Sequence, residues 1–136
     1  MSVGAWTLVE SYADAAPRAY LAAIVLEDAG DPATSAHLYG VAAECAVKSV
    51  LEAGGIRIDR ASGLKVHFPA LTSAMGLNGQ SRLMIPLLSL LEGPPETLSH
   101  YSIHSRYAED DNIDDAVRNS WKADTQQIMA FCGFWI

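Results

Sequence analysis

Hydrophobic side chains recur at intervals of three and four residues along most of the chain, which is the spacing of one face of an α-helix. The first such stretch covers residues 4–29, and its apolar row consists of Trp6, Val9, Ala13, Ala16, Tyr20, Ala23 and Leu26. Pro17 falls inside this stretch, so we expect a kink there or a division into two helices. Gly30 is expected to end the helix, because glycine readily adopts the left-handed conformation that closes many helices.

A second helix is predicted from about residue 32 to residue 53. Asp31 can cap it and Pro32 suits its first position, whereas Gly54 and Gly55 should stop it. Two apolar rows run along this segment, which is typical of the central helix of a bundle. One row consists of Tyr39, Ala43, Ala46 and Val50, and the other of Leu38, Ala42 and Cys45.

The middle of the chain alternates short helical patterns with breaks. Residues 56–66 are predicted to form a loop of basic character, followed by a short helix from near Pro69 to Gly76. The stretch 81–93 predicts another helix, with Ser81 as its cap and Pro86 in its first turn. Residues 93–96, Gly-Pro-Pro-Glu, are a firm break.

The last third of the chain begins with an ambiguous stretch, residues 98–112, which suits one or two helical turns and then an acidic loop. A final helix is predicted from near Ile113, with a core face formed by Ile113, Val117, Trp121, Ile128 and Phe131. No segment alternates apolar and polar residues with a period of two, which strands would require. We therefore expect one domain over residues 1–136, an all-α, antiparallel, up-and-down bundle of about five helices.

Composition agrees with a compact protein and narrows the range of partners. Half of the 136 residues are hydrophobic, only 18% are charged, and the net charge is −7. An acidic chain is not expected to bind duplex DNA, since such binding needs many lysine and arginine contacts. We also expect no membrane span, no signal peptide, buried free thiols at Cys45 and Cys132, and hence a cytoplasmic protein.

Four residues stand out within the apolar second helix, in the stretch HLYGVAAECAVK at residues 37–48. His37, Gly40, Glu44 and Lys48 are spaced by three, four and four, so they share one helical face. One interpretation is a solvated face with an ordinary Glu44–Lys48 ion pair. The other is that Gly40 marks the close approach of a backbone, helix or ligand, because a mid-helix glycine costs ~1 kcal/mol relative to alanine.

The stretch HYSIHSRY, residues 100–107, carries a second set of candidates. His100 and His104 have a spacing that can hold a metal on a helix, but beyond Glu109 and Asp110 no third ligand is evident, so we expect no metal site. Arg106, followed by Tyr107, either pairs with a nearby carboxylate or contacts an anion through its planar fork of donors.

Two further candidates precede the short third helix, and one acidic run precedes the last helix. Lys65 and His67 are expected at a helix N-terminus, where anions are favoured, although His67 can instead simply cap or pack against the helix. The run 109–115 lacks the spacing of an EF-hand, so we expect a solvated loop whose last acids favour the start of the final helix. No phosphate-binding or dinucleotide-binding glycine motif is present, and no cofactor is expected.

In their order along the chain, these features resemble the HEPN family (higher eukaryotes and prokaryotes nucleotide-binding), small helical bundles. The Ala-Glu-x-x-x-Lys pattern of its second long helix is matched by Ala43, Glu44 and Lys48. A histidine opening a short helix is matched by His67, and a Ser-Arg-Tyr after the fourth helix by Ser105, Arg106 and Tyr107. The resemblance covers roughly residues 10–132. It implies a homodimer and a small nucleotidyltransferase partner in a two-component or toxin–antitoxin system.

The chain departs from the pattern of the ribonucleases in that family, which carry Arg-x4-6-His near the start of a late helix. Its final helix contains Arg118 but no histidine. Arg60 and His67 have a suitable spacing, but they lie in the loop before a short helix and not on a late helix. The leading expectation is therefore a non-catalytic domain that binds a nucleotide, another phosphorylated ligand or a partner protein. Its expected ligand contacts are Glu44, Lys48, Lys65, His67, Arg106 and Tyr107. The alternatives are a metal-independent ribonuclease toxin using His100, His104 and Arg106, and a purely structural dimeric interaction module.

Overall fold

The structure is a computed structural model and describes residues 10–77, 82, 84–93, 97–99, 101–102 and 112–135. Within these residues the chain forms five α-helices and no β-strand, which confirms the prediction of an all-α bundle. The helices are α1 (Tyr12–Asp28), α2 (Pro32–Ala53), α3 (Ala70–Leu77), α4 (Met84–Glu92) and α5 (Asp115–Phe131). In the same part of the chain, no helix is both long and apolar enough to cross a bilayer.

Helix α1 begins later than predicted and is not divided. Ser11 is its N-cap, and the Ser11 hydroxyl accepts a hydrogen bond of 3.2 Å from the Asp14 amide. Residues 1–9, including the predicted core residues Trp6 and Val9, lie outside the described residues. Pro17 sits inside one continuous helix, so the predicted division into two helices is wrong, and the alternative of a kink stays a prediction. Packing of an apolar face supplies most helix stability in proteins and here outweighs the backbone hydrogen bond lost at proline.

Helix α2 has the predicted bounds and the predicted capping residues. The Asp31 carboxylate accepts a hydrogen bond of 3.1 Å from the Thr34 amide, and Pro32 occupies the first turn. Gly54 caps the other end, and Gly55 follows with a φ of 85°. Thirteen residues of α2 are buried, which confirms that it is the central helix.

The three longest helices, α1, α2 and α5, pack together with α2 in the middle. Ser35 on α2 donates a hydrogen bond of 2.8 Å to the Ala23 carbonyl of α1, and the rings of Tyr20 and Tyr39 meet with centroids 5.5 Å apart. Thr125 on α5 donates a hydrogen bond of 2.8 Å to the Tyr39 carbonyl. Glu27 contacts Lys122, whereas Tyr20 contacts Gln126. The order of these contacts shows that α1 is antiparallel to both α2 and α5.

The remaining helix boundaries agree with the sequence to within about three residues, and Ser81, the predicted cap of α4, lies outside the described residues. Helix α3 spans the predicted segment, and α4 has Pro86 at its third position, where a helix does not need the proline N–H. Asp114, not Ile113, caps α5, because its carboxylate accepts the Val117 amide at 3.0 Å. Ile113 is buried all the same, but Phe131 is 48% exposed, so its predicted place in the core is wrong.

Candidate functional site

The polar stripe of α2 lies inside the protein. Glu44 is 5% exposed, Lys48 is 3% exposed, His37 is 8% exposed, and Gly40 is also buried. The interpretation of the stripe as a solvated face is therefore wrong. The stripe is buried because α2 lies between neighbouring helices, so that even the opposite side of its middle turns, at Leu38 and Val41, is only partly open to water.

Gly40 is the point of closest approach on this stripe. A Cβ atom built on Gly40 would overlap the ring of Tyr101, so only glycine fits without a shift of the ring. The Tyr101 hydroxyl donates a hydrogen bond of 3.4 Å to the His37 carbonyl, and its ring lies edge-on to that of Trp121, with centroids 5.2 Å apart. The expectation that Gly40 marks a close contact is confirmed, and the contacting group is a side chain of the same chain.

The segment that carries Tyr101 is also fixed by α5. Asp124 accepts a hydrogen bond of 2.8 Å from the Leu98 amide, and the Trp121 indole donates one of 3.2 Å to the Ser99 carbonyl. Leu98 and Ser99 are thus bonded to α5, whereas Tyr101 lies between α2 and α5 and contacts both.

Glu44 is the centre of a small polar cluster, in which its carboxylate accepts three hydrogen bonds. One oxygen, Oε2, lies 3.3 Å from Lys48 Nζ and 2.8 Å from His67 Nδ1. The other, Oε1, accepts the Phe68 amide at 3.0 Å. A buried carboxylate is costly unless it is paired and hydrogen-bonded, and here both oxygens are satisfied.

Lys48 is covered by the start of α1. Its ammonium group lies 5.5 Å from the centroid of the Tyr12 ring, a distance that allows a cation–π contact, and it donates to Glu44. Both side chains of the Glu44–Lys48 pair are nearly inaccessible, at 7% and 4% exposure. A ligand at the surface can therefore be influenced by the charge of Lys48 but cannot displace Tyr12 or Glu44 without local rearrangement.

His67 is the accessible member of the cluster. Its side chain is 53% exposed although its Nδ1 atom is bonded to the buried Glu44. The His67 carbonyl accepts the Leu71 amide at 2.9 Å, so the residue leads directly into α3. Because a carboxylate is an acceptor, Nδ1 carries the proton, and Nε2 is the ring nitrogen that faces any ligand.

Lys65 lies at the rim of the cluster and is joined to it indirectly. Its ammonium group is 3.5 Å from Glu10 Oε1, and both side chains are about half exposed. The Tyr12 hydroxyl donates a hydrogen bond of 3.2 Å to Glu10 Oε2. Burial, together with the negative charge of Glu10, raises the pKa of Tyr12 to about 12, so the phenol stays neutral at physiological pH.

The structure brings three predicted residues, Glu44, Lys48 and His67, into direct contact and leaves Lys65 at the edge. The predicted residues His100, His104, Arg106 and Tyr107, and the carboxylates Glu109 and Asp110, lie outside the described residues. Arg60 forms no hydrogen bond or ion pair with His67, although the structure describes both. Within the described ranges, no three His, Cys, Asp or Glu side chains converge as metal ligands would.

Three parts of the cluster were not predicted from the sequence. They are the Tyr12 ring, the Glu10 carboxylate and the Phe68 amide. Tyr12 and Glu10 reach the site only because α1 and α2 pack together, and no spacing along the chain reveals this. The Phe68 amide had one available signal, since a backbone N–H next to a helix entry often binds a carboxylate. The predicted position of His67 before α3 made that backbone a candidate.

A second cluster of charges joins α1, α2 and α5 and was not predicted. Glu27 accepts hydrogen bonds from Lys122 Nζ at 2.9 Å and from the Tyr39 hydroxyl at 3.1 Å, and Arg118 Nε lies 3.1 Å from its other oxygen. The hydrogen bond from Lys122 is the main reason that the pKa of Glu27 lies below its ordinary value. Arg118 also pairs with Asp115, whose Oδ1 accepts a hydrogen bond of 3.2 Å from Nη1, although the buried Arg118 Nε makes no hydrogen bond of good geometry. The two cations therefore face two carboxylates, which is the arrangement of a structural ion pair network.

Comparison with known proteins adds no identification, since no protein-family model, no curated protein and no solved structure matches this chain. The resemblance to HEPN proteins therefore rests on the residues quoted from the sequence and stays a prediction. The site is described from its own chemistry: a buried carboxylate, a buried lysine and an exposed histidine, which we call the Glu44–Lys48–His67 cluster.

Proposed function

We propose that the protein binds a phosphorylated small molecule, of which a nucleotide is the leading example, at the surface formed by His67 and Lys65. The observation that supports this most is the 2.8 Å contact between Glu44 and Nδ1 of His67, because it fixes the position of an exposed histidine. Histidine and lysine side chains are ordinary phosphate ligands when their donors face solvent.

The burial of Glu44 and Lys48 supports a role beyond stability. Removing two charges from water costs several kcal/mol per ion, and apolar residues of similar volume often give equal or greater stability. Here the pair occupies the middle of the most buried helix. Its arrangement fixes the orientation of His67 relative to the start of α3, which is what a preorganised binding site requires.

The charge of the chain favours a small ligand over a polymer. The net charge of −7 opposes long polyanions such as duplex DNA. At the site itself, Lys48 and Lys65 are balanced by Glu44 and Glu10, and His67 adds a further positive charge when protonated. A compact anion can be attracted by the extra positive charge of protonated His67 without requiring a basic surface.

A groove along α3 is the candidate space for the rest of a ligand. A surface groove of about 370 Å³ begins at Pro69, two residues beyond His67 in sequence. It is lined by Pro69, Thr72, Ser73, Gly76 and Glu92, so it offers hydroxyl groups and one carboxylate. Its volume is within the range of small-molecule sites, roughly 300–1,000 Å³.

The resemblance to HEPN proteins agrees with this proposal and extends it. It adds a homodimeric assembly, a small nucleotidyltransferase partner and a cytoplasmic setting, each of which is part of the proposal. A partner protein that presents a phosphoryl group would use the same surface. The ribonuclease alternative depends on His100, His104 and Arg106, outside the described residues, and no described contact favours it as a second candidate.

Thermal unfolding against a panel of nucleotides and inorganic phosphate tests the proposal. A ligand present at ten times its dissociation constant should stabilise the folded state by about 1.4 kcal/mol, which raises Tm by roughly 4 °C in a chain of this size. The His67→Ala variant should lose most of the shift. The Arg57→Gln variant, which removes an exposed cation (88% exposed) from an ion pair with Asp59, should keep it.

Two results would contradict the proposal. One is the absence of any shift for every phosphorylated compound at millimolar concentration. The other is a shift of equal size in the His67→Ala variant and the wild type, which would move the binding site elsewhere.

A further inference from the structure

His67 has two ring nitrogens with different surroundings. Nδ1 is bonded to Glu44, and Nε2, on the opposite edge of the ring, makes no hydrogen bond within the described residues. With half of the side chain exposed, a ligand can reach Nε2. We propose that His67 binds the phosphoryl group of its ligand only as the imidazolium, through the Nε2 proton, so that ligand binding takes up one proton. This inference rests on the proposed function and specifies how that site selects its ligand.

The reason lies in the fixed position of the Nδ1 proton. Glu44 can only accept, so Nδ1 carries a proton in both the neutral and the charged forms of His67. In the neutral form Nε2 then presents a lone pair, which repels the oxygens of a phosphoryl group. In the charged form Nε2 carries a proton and donates a charge-assisted hydrogen bond to the same oxygens. The anion therefore selects the imidazolium.

Ionisable groups from each neighbouring element surround the cluster. Helix α2 contributes Glu44, which is bonded to Nδ1, and Lys48, which lies 3.3 Å from the same oxygen of Glu44. The segment before α1 contributes the carboxylate of Glu10, the start of α1 contributes the neutral phenol of Tyr12, and the loop before His67 contributes Lys65. Pro69, Ala70 and Leu71, at the entry to α3, carry no titratable group.

Among these residue types, only histidine ordinarily titrates between pH 5.5 and 8.5. A pH dependence of anion binding in that range is therefore assigned to His67 if it disappears in the His67→Gln variant, provided that the anion itself does not titrate. Inorganic phosphate and nucleotides do titrate there, whereas sulfate stays a dianion. Sulfate is for this reason the probe of choice.

The experiment measures the dissociation constant of sulfate by NMR titration at constant ionic strength from pH 5.5 to 8.5. For the wild type, the constant should rise with pH, approaching about tenfold per pH unit once the imidazole is mostly neutral, as uptake of one proton requires. His67→Gln keeps an N–H donor that cannot titrate, so it should bind sulfate with little pH dependence. Lys65→Gln should bind more weakly at every pH and keep the slope of the wild type.

The outcomes separate this inference from the function on which it rests. Sulfate binding that is independent of pH in the wild type, or that keeps its slope in His67→Gln, overturns the inference and leaves phosphoryl binding standing. Failure of both sulfate and the nucleotides to bind at any pH overturns the proposed function, and the inference with it.

Discussion

Glu44 and His67, 23 residues apart in the sequence, are joined by a contact of 2.8 Å between a buried carboxylate oxygen and a histidine nitrogen. The contact links the middle of the most buried helix to the entry of α3. It makes the position of an exposed side chain depend on a charge in the interior. The stability and the chemistry of the site are therefore coupled, and both can be measured.

Replacing Glu44 by glutamine tests the coupling through stability. The amide keeps the shape of the side chain but removes the charge that balances Lys48, which remains almost fully buried. Breaking a buried pair by removing one partner is strongly destabilising, so we expect the free energy of unfolding to fall by about 3 kcal/mol. Urea unfolding measures this change.

The matched control for this substitution is Arg57→Gln, which removes the cation of an exposed ion pair. Exposed pairs contribute little, so the control should unfold close to the wild type. Equal effects of the two substitutions would show that the Glu44–Lys48 pair is not buried as described.

Gly40→Ala tests the close contact with Tyr101. Alanine favours helices over glycine by up to ~1 kcal/mol, but its Cβ would overlap the Tyr101 ring. Overpacking of a core typically costs 1–3 kcal/mol, so we expect a net loss of about 1–2 kcal/mol in the free energy of unfolding. Chemical unfolding of purified protein supplies the measurement.

Gly76→Ala is the control, because Gly76 lies in α3 and a Cβ there meets nothing within 4 Å. That substitution should stabilise the protein by roughly 0.5–1 kcal/mol. A stabilising effect at both glycines would contradict the contact between Gly40 and Tyr101.

The sequence predicted those parts of the fold that depend on local signals. Asp31 and Pro32 at one end of α2, and Gly54 at the other, determine its bounds by capping chemistry alone. The fate of Pro17 could not be predicted in this way, because a helix tolerates proline when packing holds it together. Whether Phe131 joins the core likewise depends on the geometry of neighbouring helices, and in the structure it stays half exposed.

The Glu27 network predicts a pH dependence of stability. The pKa of Glu27 is lowered in the folded state from an ordinary value of 4.5, chiefly by the hydrogen bond from Lys122. A lowered carboxyl pKa adds stability that is complete above the unfolded pKa and is lost as the pH falls through the folded one. The stability difference between wild type and Glu27→Gln should therefore be about 1.5–3 kcal/mol near neutral pH and shrink below pH ~4.

Asp28→Asn serves as the comparison for Glu27, since Asp28 is the exposed next residue. It should show no comparable loss of stability at neutral pH. If the Glu27→Gln difference stayed constant down to strongly acid pH, the charge of Glu27 would not be the source of the stabilisation.

Both cysteines should be slow to react in the folded protein. Burial raises the pKa of the Cys45 and Cys132 thiols to about 11, so little thiolate is present at pH 7.5. Cys45 is buried, as predicted, whereas Cys132 is only half-buried and should react first. Reaction with an aromatic disulfide, followed by absorbance, should be slow without denaturant and fast in urea. Rapid labelling of Cys45 in native buffer would contradict its burial.

The candidate site was predictable only in part, because its members come from three segments. Helical spacing placed Glu44 and Lys48 on one face, and the helix predicted from near Pro69 placed His67 just before α3. The contact between them requires that His67 and Phe68, before α3, lie against α2, which spacing along the chain does not reveal. Tyr12, which covers Lys48, does not belong to the polar stripe of α2. In the sequence it looks like an ordinary residue of an apolar helix.

The most direct test of the Glu44–Lys48–His67 cluster as a phosphoryl site is an NMR titration of labelled protein with a nucleotide, followed at the Phe68 amide and the His67 ring. The amide donates to the same carboxylate that holds the ring, so binding at Nε2 should shift both signals with one saturating curve. The account predicts that the chemical-shift changes of these two groups are among the largest in the protein and that they vanish in Glu44→Gln. Saturable binding that leaves Phe68 and His67 unshifted, or no binding at millimolar nucleotide, would contradict it.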